Sequence, residues 1–264
     1  LIIAAIAGGI VLAGQLGIIG SATSPDSSTQ SSSQSTDKAD GGHSSNGSGT
    51  DNANGTGGVG GTDGADGDNQ DTVTDNPLKI VESGWSADQQ GYVHYAFALR
   101  NTSKTQQVQY PQITITGRAK DGSIVFSQTQ ALNMAFPNQT VYNAGQAGEG
   151  TAPATVDFVV LSPDTYNVTE AQGTATFPIS GTSKIDNRDG GTTFNGEVHA
   201  VADGFKPSDG QQIKISLVLR NAQNAIIYGD ITFVDWPGNG RSAPFSITVY
   251  NLPKYASYDL YAQI

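Results

Sequence analysis

The sequence contains no cysteine. That excludes disulfide staples, thiolate-bound zinc, thiol catalysis and lipid attachment through a cysteine within these residues. It also lacks a basic excess: 13 Lys and Arg stand against 24 Asp and Glu, a net charge of -11. A nucleic-acid binder normally carries a basic face, so this balance argues against that class. Signatures of catalysis are missing as well. No serine sits in a G-x-S-x-G elbow, and neither a P-loop nor a dinucleotide fingerprint occurs. Of the three histidines, His43 falls in a polar low-complexity stretch, while His94 and His199 fall on the polar faces of separate predicted strands, with no spacing that suggests a shared metal. Asp157, Glu197 and Asp235 are acids without an evident partner. No catalytic residue, metal or cofactor is expected.

What is present divides the chain into segments of very different texture. Residues 1–20, LIIAAIAGGIVLAGQLGIIG, hold one polar residue, Gln15, and no charge. Twenty residues at helical rise span about 30 Å, enough to cross a bilayer. The pattern predicts a transmembrane helix or signal anchor, with Gly20-Ser21-Ala22 as an alternative cleavage site. No Lys or Arg occurs before Lys38, so the positive-inside rule places the residues after the helix outside the cell.

Residues 21–77 are rich in Ser, Gly and Asp. Nine aspartates and one lysine here carry eight of the eleven net negative charges. Such a segment buries too little apolar surface to offset its ordering entropy and is expected to be a disordered linker. A flexible chain of this length has an r.m.s. reach of roughly 40 Å. Asp63, Asp66, Asp68 and Asp71 cluster within it, but not in the pattern of a calcium loop.

From residue 78 onward apolar and polar residues alternate. Val93, Tyr95, Phe97 and Leu99 fall on one face of YVHYAFALR. Ile213, Ile215, Leu217 and Leu219 fall on one face of IKISLVLR, with Lys214, Ser216 and Arg220 on the other. No segment shows a long helical period. The reading is all-β, in short antiparallel strands.

An internal repeat is visible at an offset of 102 residues. ITITGRAKDGSIVF (113–126) matches ISLVLRNAQNAIIY (215–228), pairing Arg118 with Arg220 and Phe126 with Tyr228. Asp121-Gly122, and Gln223-Asn224 in the second copy, read as two-residue hairpin turns needing residues that tolerate positive φ. Farther on, the Ala-Pro of TAPATVDFVVLSP (151–163) echoes that of SAPFSITVYNLP (242–253). The chain is therefore expected to hold two small antiparallel β-sandwich (immunoglobulin-like) domains, 78–180 and 190–264, joined by the polar linker GTSKIDNRDGG.

YVHYAFALRN, the Asp-Gly hairpin and GNGRSAPFSITVYNLPKYASYDLYAQ resemble the FxLYD type of bacterial extracellular β-sandwich domain. Where that family has Leu-Tyr-Asp, this chain has Thr-Gly-Arg (116–118) and Val-Leu-Arg (218–220). The resemblance implies an exported bacterial protein held behind a membrane anchor and a tether, and it carries no catalytic residue over to this chain.

Three functions follow as expectations. The first is a non-enzymatic surface protein of the cell membrane, anchored by residues 1–20, with a protein or glycan of the envelope as partner. The second is a carbohydrate- or peptidoglycan-binding module using Trp85 and Trp236, which both lie beside predicted turns and could stack on sugars. The third is an envelope hydrolase with an unrecognised site. A lysine–asparagine crosslink between Lys214 and Asn251 is a further possibility on a strand-rich scaffold.

Overall fold

A computed structural model describes residues 76–264. The expected membrane helix and most of the linker lie outside the described residues. Among the described residues no helix is long and apolar enough to cross a membrane. These residues belong to one compact unit and are all-β, arranged in several small antiparallel sheets. In chain order the strands are β1 (Leu78–Ala87), β2 (Val93–Asn101), β3 (Gln106–Gln109), β4 (Gln112–Arg118), β5 (Ile124–Ala131), β6 (Met134–Ala135), β7 (Thr140–Ala147) and β8 (Thr155–Val160). A single 3-10 turn, Thr165–Asn167, precedes β9 (Val168–Glu170) and β10 (Thr174–Thr176). The remaining strands are β11 (Ile179–Asp186), β12 (Gly191–Asp203), β13 (Gln212–Arg220), β14 (Ile226–Asp235), β15 (Arg241–Tyr250) and β16 (Ser257–Gln263).

The repeat extends to the topology. Sheet β1-β2-β7 has its counterpart in β11, β12 and β15, and sheet β5-β4-β8 in β14-β13-β16. The first copy adds the small sheet β6-β3-β9, and β10 joins β12 in the second. The arginine contacts recur at the same offset. Arg118 Nε donates to Asp157 Oδ2 at 3.1 Å and its Nη1 to the Gly122 carbonyl at 3.3 Å. Arg220 Nε donates to Asp259 Oδ2 at 2.7 Å and its Nη1 to the Asn224 carbonyl at 3.0 Å. The shared arginine thus ties each hairpin turn to the neighbouring strand.

The apolar alternation lands as expected. Val93, Tyr95, Phe97 and Leu99 from β2 share one core cluster with Ile113 and Ile115 from β4. Ile213, Ile215, Leu217 and Leu219 from β13 share a second with Phe194, Phe245 and Val249. Each fully buried side chain of this kind stabilises the fold by roughly 1.5–3 kcal/mol relative to exposure.

Four local expectations need correction. The Asp121-Gly122 turn is longer than two residues: Gly122 N–H donates to the Ala119 carbonyl at 3.0 Å and Ala119 N–H to that of Ser123 at 2.9 Å. Only Gly122 (φ 86), and Asn224 (φ 65) in the second copy, take positive φ. This is the three-residue hairpin, a turn closed by one left-handed residue. The polar stretch read as an interdomain linker is β11 and its hairpin to β12. As an outlying strand with seven exposed residues of eight, β11 carries no apolar alternation to reveal it. The Ala-Pro echo is not structural. Ala152-Pro153 precedes β8, whereas Ala243-Pro244 lies inside β15, whose counterpart is β7. Finally, the polar face of β13 is not solvated: Ser216 is fully buried and Arg220 is 5% exposed.

That second face of β13 is buried because the two copies pack on each other. β14 lies against β1, β2 and β7. Ala96, Ala144, Val218 and Ile226 form a third buried cluster there, flanked by Tyr142, Ile231 and Tyr261. The approach is close enough to demand glycine. A Cβ on Gly84 would overlap the Ile226 backbone, and one on Gly229 would overlap the Tyr95 carbonyl. The small residues Gly84, Ala96 and Ala144 give the first copy a shallow outer face on which β14 rests.

Candidate binding cleft

Three polar groups are set into this contact. The first centres on Arg220, which donates to Glu82 Oε2 at 2.8 Å and Oε1 at 3.0 Å as well as to Asp259. Tyr142 donates to Glu82 Oε1 at 2.6 Å, and its ring stacks on Tyr261 with centroids 3.7 Å apart. The bonds from Arg220 hold the Glu82 carboxyl below the usual carboxylate range. Burial, followed by the bond to Glu82, pushes the Tyr142 hydroxyl up.

The second centres on His94, expected on a solvated face. Its ring stacks instead on Tyr228 at 4.6 Å and lies 3.4 Å from both Asp88 and Gln146. Tyr228 donates to Asp230, whose carboxyl is pushed up by burial.

The third is the strongest candidate for function. Lys214 of β13 donates to Asn143 Oδ1 of β7 at 2.9 Å. Gln263 of β16, paired across from Lys214, donates to the same oxygen at 3.2 Å. The Phe233 ring lies 5.7 Å from the amine. None of the ion pairs among the described residues includes Lys214. Burial pushes its amine down to about 8. Asn143 Nδ2 and Gln263 Oε1, on the two side chains that share the Asn143 Oδ1 contact with Lys214, are buried polar atoms without partners, and Ser216 Oγ, farther along the same face of β13, is another. Buried polar groups are nearly always paired, so orphans beside the half-buried Lys214 mark the place chemically. Beside them opens a cleft of about 420 Å³, lined by residues from both copies, among them Thr129, Gln130, Asn133, Gln212, Lys214 and Gln263. Clefts where two structural units meet are common places for ligands.

The residues singled out from sequence lie elsewhere. Trp85 packs, partly buried, against the first core, and Trp236 against the second, edge-on to Phe177 at 5.7 Å. They belong to different cores and form no joint platform. Asp157, Glu197 and Asp235 sit in three different sheets. Lys214 meets Asn143 rather than Asn251, a turn residue with φ 54. Among the described residues no group of three or more His, Asp or Glu could hold a metal ion. Lys214 did carry a sequence signal: it is one of two charges, with Arg220, in a strand where polar residues alternate with apolar ones. Its partner Asn143, in TVYNAGQA, carried none.

No protein-family model matches the chain, and no curated protein matches it. Among solved structures, the exo-chitosanase CsxA of Amycolatopsis orientalis aligns at 10% identity with a TM-score of 0.20, over 67% of this chain and 24% of that one. A complex of the same enzyme with PNP-beta-D-glucosamine aligns at 11% identity with a TM-score of 0.19, over 66% and 24%. The chain spans about a quarter of those enzymes' length. Likeness at that level carries no argument about this chain's chemistry.

Proposed function

We propose that this is a non-enzymatic bacterial surface protein that binds a component of the cell envelope. In this reading residues 1–20 anchor it in the membrane, residues 21–77 form the tether, and two immunoglobulin-like sandwiches related to the FxLYD type are displayed outside as one fused body. The observation that carries the reading is the cleft at Lys214. It is built from both copies and lined by amides, hydroxyls and one carboxylate, Asp209, around a single amine, which suits recognition rather than bond cleavage. The low net charge of the β-rich part and the acidic linker support display at a distance from the membrane.

The test is topological. The chain, tagged at its C-terminus, is expressed in a bacterium, and intact protoplasts are treated with trypsin. The tag is removed if the sandwiches lie outside. Protection of the tag until the membrane is dissolved would overturn the display.

A second reading, a carbohydrate-binding module, is favoured by the amide-rich lining of the same cleft. It places recognition at Lys214 rather than at Trp85 and Trp236, which pack into the cores.

A further inference from the structure

We propose that the cleft beside Lys214 binds an acidic saccharide, with the sugar carboxylate meeting the lysine amine; this rests on the binding reading above and names its ligand class. The argument begins with charge. An ammonium that is even half-buried is costly unless an anion or several hydrogen bonds compensate it. Lys214 has one hydrogen bond, to the Asn143 side-chain oxygen, and no ion pair. A carboxylate entering the cleft supplies the missing countercharge.

The remaining groups select what carries that carboxylate. Gln263 lines the cleft, and its Oε1 is a buried acceptor without a partner. Gln130 is held by the Tyr95 hydroxyl and the Ala131 carbonyl, Gln212 by Asp235 and Thr129 by Thr114, and these side chains, with Asn133, keep further donor and acceptor capacity toward the cleft. Sugars present vicinal hydroxyls that both donate and accept, so this lining matches them. Its volume of about 420 Å³ lies within the range of ligand pockets, roughly 300–1,000 Å³. Asp209 also lines the cleft, so the wall holds one cation and one anion. With a carboxylate on the same wall the cleft disfavours a phosphate dianion, and a monoanion fits only where it meets Lys214 directly.

The test uses the whole 264-residue chain in detergent micelles, titrated by calorimetry with D-glucuronate, D-glucose, acetate and glycylglycine. Glucuronate should bind saturably, at least about tenfold tighter than glucose or acetate, because only it offers both charge and hydroxyls. Lys214→Met should weaken glucuronate by about tenfold or more without lowering the thermal midpoint, since it removes a half-buried charge that has no ion pair. Gln212→Ala, on the rim, should weaken it several-fold and provides a second variant should Lys214→Met fail to fold. The proposal is overturned by no saturable response to glucuronate, by equal affinity for acetate, by tighter binding of glycylglycine, or by undiminished binding in Lys214→Met. If glucuronate fails while trypsin still removes the external tag, only the ligand assignment falls. Protection of the tag removes the display reading and leaves the calorimetry to judge the cleft.

Discussion

Arg118 and Arg220 occupy equivalent places in the repeat, yet removing their carboxylate partners should have very different consequences. Arg118 and Asp157 form a pair with side chains 42% and 54% exposed. Such pairs contribute about 0–1 kcal/mol, because water screens them and two side chains must be held still. Arg220 keeps the same bond to its own strand partner, Asp259, but its side chain is 6% exposed and Glu82 of the other copy adds two more bonds. Breaking a fully buried pair costs about 3–5 kcal/mol. Glu82 is 32% exposed and Asp259 remains, so Glu82→Ala should cost roughly 2 kcal/mol. For a body of this size that lowers the melting midpoint by roughly 4–8 °C. Asp157→Ala should lower it by no more than about 3 °C. Thermal unfolding followed by near-ultraviolet circular dichroism, with a double-mutant cycle on Glu82→Ala and Arg220→Met, measures both effects. Equal midpoints for Glu82→Ala and Asp157→Ala, or no coupling in the cycle, would refute the claim that the second arginine fastens the two copies.

Other outcomes follow from the same contact. The Lys214 amine is held down to about 8 from 10.5, so between those values the unfolded chain binds more protons than the folded one. Stability should therefore rise with pH from about 8 until tyrosines ionise near pH 10, where buried Tyr95, whose hydroxyl burial pushes up, reverses the trend; Lys214→Met should flatten the rise in a pH series of melting curves. The Glu82 carboxyl is held below 4.5, so its contribution is complete above that pH and lost as the pH falls through its lowered folded value; Glu82→Gln should show less acid sensitivity in the same series. Gly229→Val should cost about 1–3 kcal/mol by urea titration, because its side chain would meet the Tyr95 carbonyl, Ala96 and Ala144. Asn224→Ala should cost about 1 kcal/mol for its φ of 65, whereas Asn224→Gly should cost little.

The strands with one apolar face were the most legible part of the chain. In β2 and β13 the period-two alternation names the residues that face the two cores correctly but not those buried on the opposite face, and the Arg118–Arg220 match marks the repeat. β11 was hidden because an exposed outlying strand of Gly, Thr, Ser and Asp composition reads like a linker. The Ala-Pro echo misled because two residues of shared identity outweighed a difference in length. The contact between the copies was least legible. Gly84, Ala96 and Ala144 look like indifferent small residues until another strand rests on them. Lys214, Ser216 and Arg220 follow the same alternation whether their face meets water or protein. The pairing of Lys214 with Asn143 spans 71 residues and depends on how the sheets cross, which local patterns do not encode.

The most direct test of the functional account is co-sedimentation with isolated bacterial cell-wall polysaccharide bearing acidic sugars. The detergent-solubilised chain should pellet with it, be released by free glucuronate but not by glucose, and fail to pellet when Lys214 is replaced by methionine. A chain that stays in the supernatant, or pellets equally well as Lys214→Met, contradicts the account.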